Sequence, residues 1–139
     1  MSGSINREAK SAALDAALCK QALNRPVARN IKLTGTDGVE LSLDIAPSLP
    51  CLAGHFESFP VVPGVVQIDW VVHYANVLLH IDWPVLRLDR LKFTCPIQPN
   101  SSLEVKLLFN REKQWLDFQF FCVKNNYSKG RVVYESPCD

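Results

Sequence analysis

The spacing of apolar positions changes along the chain, and these changes predict its first elements. Residues 1–25 form an extension whose apolar residues recur at helical spacing from residue 6, which predicts an N-terminal helix that ends before Pro26. Residues 27–33 and 39–45 turn toward alternation of apolar and polar positions around a Thr-Asp-Gly turn, which predicts a hairpin of two antiparallel strands. Residues 46–63 contain four prolines, which predicts an irregular but stiff loop.

A second, longer helix is predicted over residues 65–80, which contain neither Gly nor Pro and suffice for four turns. Apolar residues lie around nearly its whole circumference, so we expect a helix that is buried on most sides. Four strand-like runs follow, at residues 85–93, 102–110, 114–123 and 131–134, and the last two are separated by a turn at 125–130. This order predicts one α+β domain over residues 1–139, with a curled antiparallel sheet around the central helix.

The composition is that of an ordinary globular domain and narrows the possible functions. Of the 139 residues, 47% are hydrophobic and 21% are charged, and the net charge is +1, so no strong field would attract nucleic acid. The five cysteines form no C-x-x-C pair and no apolar signal segment opens the sequence, so we expect reduced thiols and a cytoplasmic location. The most apolar stretch, residues 61–81, is interrupted by Asp69, Asn76 and two histidines, which favours a buried helix over a membrane span.

Residues 54–70 contain the most informative motif. They read Gly-His-Phe, then Pro60, then Pro63-Gly64, and they place Asp69 on the second turn of the central helix. This motif resembles the active site of the 3-hydroxyacyl-acyl-carrier-protein dehydratases, with the same spacing from the histidine to Pro-Gly and on to the acid. The helix opening, Pro-Gly-Val-Val-Gln-Ile-Asp-Trp, is most similar to the dehydratase-like proteins of aryl-polyene biosynthesis. Residues 91–99 extend the resemblance through a strand and a proline turn.

The resemblance implies a hot-dog fold and an enzyme that converts a 3-hydroxyacyl thioester into the trans-2-enoyl thioester, in fatty-acid or aryl-polyene synthesis. It implies that His55 of one subunit faces Asp69 of the other as the acid–base pair of a homodimer or a larger oligomer. It also implies that the amide of Gly64 binds the thioester carbonyl. The acyl chain would be carried by the phosphopantetheine of an acyl carrier protein or by coenzyme A, and no cofactor or metal is implied.

The chemistry of dehydration suits these residue types. One group must remove the proton next to the carbonyl and another must protonate the departing hydroxyl, and an imidazole and a carboxylic acid can share these tasks. The apolar neighbours of Asp69 in sequence predict a desolvated carboxyl, which favours the protonated form unless a partner charge compensates. Gly64 would lie at a helix N-terminus, where unpaired N–H groups and the helix dipole stabilise an oxyanion, and glycine lets a substrate approach closely.

Departures from the family motif keep other functions open. Glu57 and Ser58 replace the usual Pro-Gly after His-Phe, which would suit a non-catalytic acyl-binding module with an altered loop. His73 replaces a common glutamine one turn after Asp69, and a hydrogen bond between the two would favour thioester hydrolysis. A metal site is disfavoured because His73 and His80 would lie about 10 Å apart along the helix.

Several further residues have a structural role as the alternative to a functional one. Cys51, four residues before His55, could imitate a Cys–His nucleophile, although cysteine is commonly a small buried hydrophobe. Core packing is likewise the alternative for aromatic residues predicted to line a substrate tunnel. The predicted tunnel residues are Phe56, Pro60, Pro63, Trp70 and His73. Basic residues that could either dock an acidic carrier protein or lie on solvated strand faces are Arg87, Arg90, Lys92, Arg111, Lys113, Lys124, Lys129 and Arg131.

Overall fold

The computed structural model describes residues 25–52 and 61–135, and these residues contain both strands and helices. A single α-helix among these residues, α1 (Gly64–Leu79), follows a short 3-10 helix (Pro50–Leu52), with two strands before it in the chain and four after it. The strands are β1 (Ala28–Thr34), β2 (Gly38–Asp44), β3 (Val85–Phe93), β4 (Ser102–Asn110), β5 (Trp115–Phe121) and β6 (Asn126–Tyr134). They form one antiparallel sheet in the order β1-β2-β4-β5-β6-β3. The predicted N-terminal helix lies outside the described residues.

The core forms on one face of this sheet because side chains alternate along each strand. In β4 every second residue is buried, from Leu103 to Phe109, while the residues between them are exposed. The same alternation buries apolar residues of β2 and β5 on the same face. The helix α1 packs onto this face, where its Trp70 meets Phe120 of β5 with ring centroids 6.4 Å apart. The predicted α+β arrangement is therefore confirmed.

Only one face of α1 is covered by the sheet. Its buried residues recur at helical spacing and are Gln67, Trp70, Val71, Tyr74, Ala75 and Leu79. On the other side Val65 is 77% exposed, and Ile68 and Val72 are only partly buried. Val65 and Asp69 are the only exposed residues of α1, so among the described residues the helix is buried on the sheet side and mostly half-buried elsewhere. No helix in this part of the chain has both the length and the apolar content needed to cross a membrane.

The last strand begins earlier than the sequence pattern indicates. The turn predicted at residues 125–130 is largely part of β6, which begins at Asn126 and not at residue 131. Two residues of that segment, Tyr127 and Ser128, are buried, and the strand pairs with β5 along most of its length. Tertiary pairing has overridden the turn-forming composition of this segment.

The strand β3 forms one edge of the sheet and pairs only with β6. It carries five large apolar side chains that are 39–56% exposed: Val85, Leu86, Leu88, Leu91 and Phe93. An edge strand has unpaired N–H and C=O groups along its outer side. Within the described residues this edge is therefore an apolar surface without a partner.

Candidate active site

At the N-terminus of α1, the backbone amide of Gly64 has no backbone acceptor among the described residues. Pro63 precedes the helix in an extended conformation (φ −61°, ψ 149°), and its carbonyl accepts hydrogen bonds from the amides of Val66 and Gln67 at 3.0 and 3.2 Å. The Gly64 amide lies at the positive end of the helix dipole, a position that suits the binding of a developing oxyanion.

Glycine at the first position of α1 is also needed for packing, because the Phe93 ring lies against it. A Cβ built on Gly64 would meet Cζ of Phe93 at 2.8 Å and Cε1 at 3.0 Å, closer than real side chains pack. Phe93 is the last residue of β3 and is 48% exposed. The two residues line a cavity of about 520 Å³ together with Val62, Gln67 and residues 94–96. The space next to the start of the helix is therefore open but walled by an aromatic ring.

Gln67 is a buried polar residue beside this cavity that the sequence analysis missed. It is 4% exposed, its Nε2 donates a hydrogen bond to the carbonyl of Val62 at 3.2 Å, and its Oε1 accepts one from Ser128 Oγ at 2.6 Å. In the sequence analysis it is only one letter of the helix-opening motif. Its helical spacing from Trp70 and Val71 places it on the face of the helix that is buried. An amide buried there needs hydrogen-bond partners, and this is the signal that could have identified it.

Asp69 lies on the uncovered side of α1 and binds Arg25. The Asp69 side chain is 56% exposed, and the ion pair is two-pronged, with Nε–Oδ2 at 3.1 Å and Nη2–Oδ1 at 3.2 Å. The chain next to Arg25 is held on the helix because the hydroxyl of Tyr74 donates to the carbonyl of Pro26. Asp69 is therefore not desolvated within the described residues of one chain, and its desolvation in the complete site stays a prediction. Its apolar sequence neighbours project in other directions around the helix, and a cation compensates its charge.

His73 lies one turn after Asp69 but does not bind it in the described part of the chain. The imidazole is half-buried, and its ring packs edge-on against Tyr74 with centroids 5.3 Å apart. Burial lowers the pKa of His73, and the neighbouring Arg25 lowers this pKa further, whereas Asp69 acts in the opposite direction. The expected hydrogen bond from His73 to Asp69 is not formed among the described residues, where Arg25 binds both carboxylate oxygens. Burial and Arg25 thus favour the uncharged form of the imidazole.

The other predicted site residues lie either in the core or outside the described ranges. Trp70 is fully buried against Phe120, which is the core packing considered as its alternative role. Its place along a substrate tunnel stays a prediction, as does that of Pro63. The residues that fall outside the described ranges are His55, Phe56, Glu57, Ser58 and Pro60. The pairing of His55 with Asp69 therefore also stays a prediction.

The Cys51 thiol is not prepared for nucleophilic attack in the described structure. Burial raises the pKa of this thiol, which disfavours the thiolate that a cysteine nucleophile needs. Cys51, Cys95 and Cys122 are all free thiols. Within residues 25–52 and 61–135 no group of three His, Cys, Asp or Glu side chains is placed to bind a metal ion.

Comparison with known proteins identifies the class of this fold and site. Residues 31–131 match the ApeI-like family, whose description is ApeI dehydratase. The structure resembles the dehydratase heterocomplex ApeI:P from Xenorhabdus doucetiae, with 31% identity, a TM-score of 0.74, and coverage of 78% of this chain and 96% of that chain. It also resembles an uncharacterized protein from Erwinia carotovora subsp. atroseptica, with 33% identity, a TM-score of 0.68, and coverage of 81% and 95%. No curated protein is significantly similar to the chain.

More distant structures share the fold alone. A dehydratase domain of PpsC from Mycobacterium tuberculosis has 14% identity and a TM-score of 0.63, with coverage of 84% of this chain and 46% of that chain. Together with the six-stranded sheet and α1, these similarities define a hot-dog dehydratase. The chain belongs to the ApeI-like dehydratase family and is thus an enzyme of the lyase class. The predicted hot-dog fold and dehydratase class are confirmed.

Proposed function

We propose that this enzyme removes water from a 3-hydroxyacyl thioester on acyl carrier protein and releases the trans-2-enoyl thioester, as a step in aryl-polyene or fatty-acid synthesis. The observation that carries the proposal is the amide of Gly64, which has no backbone acceptor among the described residues, with Asp69 on the next turn of the same helix. At 1.5 Å per residue the two lie about 7.5 Å apart along the axis. A thioester carbonyl and a hydroxyl two carbons away can bridge that separation when each makes one hydrogen bond of about 3 Å.

The proposed reaction breaks the C2–H and C3–O bonds of the substrate, forms the C2=C3 double bond and releases water. His55 of one subunit and Asp69 of the other share the two proton transfers, and the amide of Gly64 stabilises the negative charge on the thioester oxygen. Arg25 occupies both oxygens of Asp69 in the described structure. The substrate hydroxyl therefore competes with Arg25 for the carboxylate of Asp69.

One assay tests the function directly. The protein is incubated with a 3-hydroxyacyl thioester and, separately, with a saturated acyl thioester, while enoyl absorbance and release of free thiol are followed in parallel. We expect enoyl product without free thiol. Release of thiol from both substrates would establish a thioesterase, and binding without either product would establish an acyl-binding module.

The acid–base pair is tested by two substitutions. We expect His55→Ala and Asp69→Asn each to lower kcat by about 10²- to 10⁴-fold, because a positioned acid or base contributes that much. Circular dichroism of both variants checks that they remain folded. Full activity in either folded variant would contradict the mechanism.

Thioester hydrolysis is not favoured by the geometry of the helix. That alternative rested on a hydrogen bond between His73 and Asp69, and in the described part of the chain Asp69 binds Arg25 instead. The similarity to thioesterase superfamily member 2 from Mus musculus is 6% in sequence, with a TM-score of 0.57, and it supports the fold alone.

A second chain is proposed to complete the site in a homodimer. The apolar edge of β3 and the Asp69 face of α1 both lack cover among the described residues. The similar ApeI:P assembly is a heterocomplex, so a related chain is the alternative partner. Arg90 and Lys129 on one sheet face support docking of an acidic carrier protein, whereas Arg131 on that face is paired with Asp117.

The oligomeric state is tested by sedimentation of the protein alone. We expect a dimer that Leu88→Lys dissociates, because this substitution puts a charge on the apolar edge. Leu108→Lys is the matched control, since Leu108 is 51% exposed but lies on β4, away from that edge. A stable monomer at micromolar concentration would contradict the homodimer.

A further inference from the structure

We propose that Gln67 is a positioning residue, anchored by Ser128, that aims the amide of Gly64 at the thioester carbonyl of the substrate. The proposal rests on the proposed function, in which that amide stabilises the developing oxyanion. Gln67 itself acts through the backbone and does not contact the reacting atoms.

The orientation of the Gln67 amide group is determined by its partners. The carbonyl of Val62 can only accept a hydrogen bond, so the group that faces it at 3.2 Å must be Nε2. Oε1 then faces Ser128, whose hydroxyl must donate at 2.6 Å. Gln67 and Ser128 are 4% and 2% exposed, so little water is available to replace either bond. The pair is therefore held in one arrangement.

Val62 is fixed from both sides by this arrangement. Its amide donates to the carbonyl of Ile97 at 2.9 Å, and its carbonyl accepts from Gln67. The peptide plane between Val61 and Val62 is thus attached to the loop after β3, and the plane between Val62 and Pro63 is attached to α1 through the Val62 carbonyl. Without Gln67, the Val62 carbonyl would lose the bond that attaches it to the helix.

The direction of the Gly64 amide follows from that plane. The pyrrolidine ring fixes φ of Pro63, observed at −61°, and the carbonyl of Pro63 is held by the amides of Val66 and Gln67. Because N–H and C=O of a trans peptide point in opposite directions, the Gly64 N–H points out of the helix end. Every rotation between the Val62 carbonyl and the Gly64 N–H is therefore restrained. The Gln67 side chain restrains the first of these groups, the Val62 carbonyl.

This chain of restraints matters because an oxyanion donor acts through its position. Loss of one such donor costs about 10²- to 10³-fold in kcat, and a displacement of about 1 Å can have a comparable effect. A displaced donor weakens the interaction with the transition state more than it weakens substrate binding. We therefore expect Gln67→Met to lower kcat by about 10- to 100-fold, with KM changed by less than about threefold.

The experiment compares kinetics with the carbonyl stretching band of a bound thioester. A saturated acyl thioester labelled with ¹³C at the carbonyl is bound to each protein, and its band is recorded by difference infrared spectroscopy. We expect the band of Gln67→Met to lie at higher frequency than in the wild type, because the carbonyl accepts a weaker hydrogen bond. Ser128→Ala should shift the band in the same direction, and Ser128→Thr, which keeps the hydroxyl, should restore it.

Two matched controls separate positioning from stability. Val71→Ala removes packing from the same buried helix face, and Ser42→Ala removes another buried strand hydroxyl, which donates to Glu104. Both should lower the melting temperature while leaving the band and kcat unchanged. If Gln67→Met is unfolded, Ser128→Ala and its threonine rescue provide the test.

The outcomes distinguish this proposal from the proposed function. If the wild type makes enoyl product while Gln67→Met and Ser128→Ala keep both kcat and band position, the positioning role is wrong and the function stands. If the wild type makes no enoyl product, the function is wrong, and the infrared comparison still decides whether Gln67 orients the Gly64 amide.

Discussion

Replacing Gly64 by alanine separates the packing role of this glycine from its proposed catalytic role. The new methyl group would lie 2.8 Å from Cζ of Phe93, whereas ordinary contacts begin at 3.4 Å. The ring must therefore withdraw by about 0.6 Å, which its 48% exposure permits at a moderate cost. We expect a loss of about 1 kcal/mol in stability, at the low end for overpacking, and a melting temperature lower by about 3–5 °C.

The expected loss of activity is larger and has a different cause. The methyl group would stand beside the only N–H that the proposal assigns to the thioester oxygen, so we expect kcat/KM to fall by about 100-fold. The second variant is Gly64→Ala combined with Phe93→Ala, which removes the ring that the methyl group meets. In a double-mutant cycle, the double variant should lose less stability than the sum of the two single losses, because the contact between the methyl group and the ring is gone. Its activity should stay as low as that of Gly64→Ala.

The measurements are thermal unfolding by circular dichroism and enoyl absorbance with a 3-hydroxyacyl thioester. Full activity of Gly64→Ala would refute the view that the substrate needs open space at this amide. Additive stability losses in the double variant would refute the contact between the methyl group and Phe93. A gain of activity on removal of Phe93 alone would show that the ring restricts access to the cavity.

Two further predictions concern the Asp69 face of α1. Arg25→Gln should change the free energy of unfolding by less than about 1 kcal/mol, because the ion pair is partly exposed, and should raise kcat/KM severalfold because Asp69 is released. Denaturant unfolding and the enoyl assay check both effects, and equal or lower kcat/KM would contradict the competition. For His73, a folded-state pKa below the unfolded value of about 6.5 means that the folded protein binds fewer protons than the unfolded chain. The contribution of His73 to stability is therefore complete above about pH 6.5 and is lost as the pH falls through the folded-state pKa. In urea unfolding between about pH 7.5 and 5.5, the stability of His73→Gln should fall less than that of the wild type. The same pH dependence in both proteins would contradict this assignment.

The fold was predictable because its signals are local and periodic. Alternation predicted β4 at residues 102–110, as observed, and the absence of Gly and Pro predicted α1 to within a residue at each end. The early start of β6 was not predictable in this way, because buried Tyr127 and Ser128 lie in a segment whose composition is typical of turns. Pairing with β5 determines where β6 begins, and the partner of a strand cannot be recognised from its neighbouring residues in sequence.

The candidate site was predictable only where a family motif covered it. Gly64 and Asp69 followed from the motif, but the cation that binds Asp69 did not, because Arg25 is 44 residues away in sequence. Gln67 was missed for the opposite reason. It lies inside the motif, and its importance appears only when Ser128, 61 residues away, is seen to hold its amide. Contacts between distant positions thus define the electrostatics of the site.

The two sides of α1 have different roles in the proposed enzyme, one structural and one catalytic. The side toward the sheet carries Gln67, Trp70 and Tyr74, which are buried and hold the helix and the segments before it in place. The opposite side carries Asp69, 56% exposed, and the partly exposed apolar residues beside it. A carboxylate that must act on a thioester needs a partner group and exclusion of water, and the chain's own sheet supplies neither on that side. The uncovered side is therefore where we expect a second chain, bringing its own His55, to complete the site.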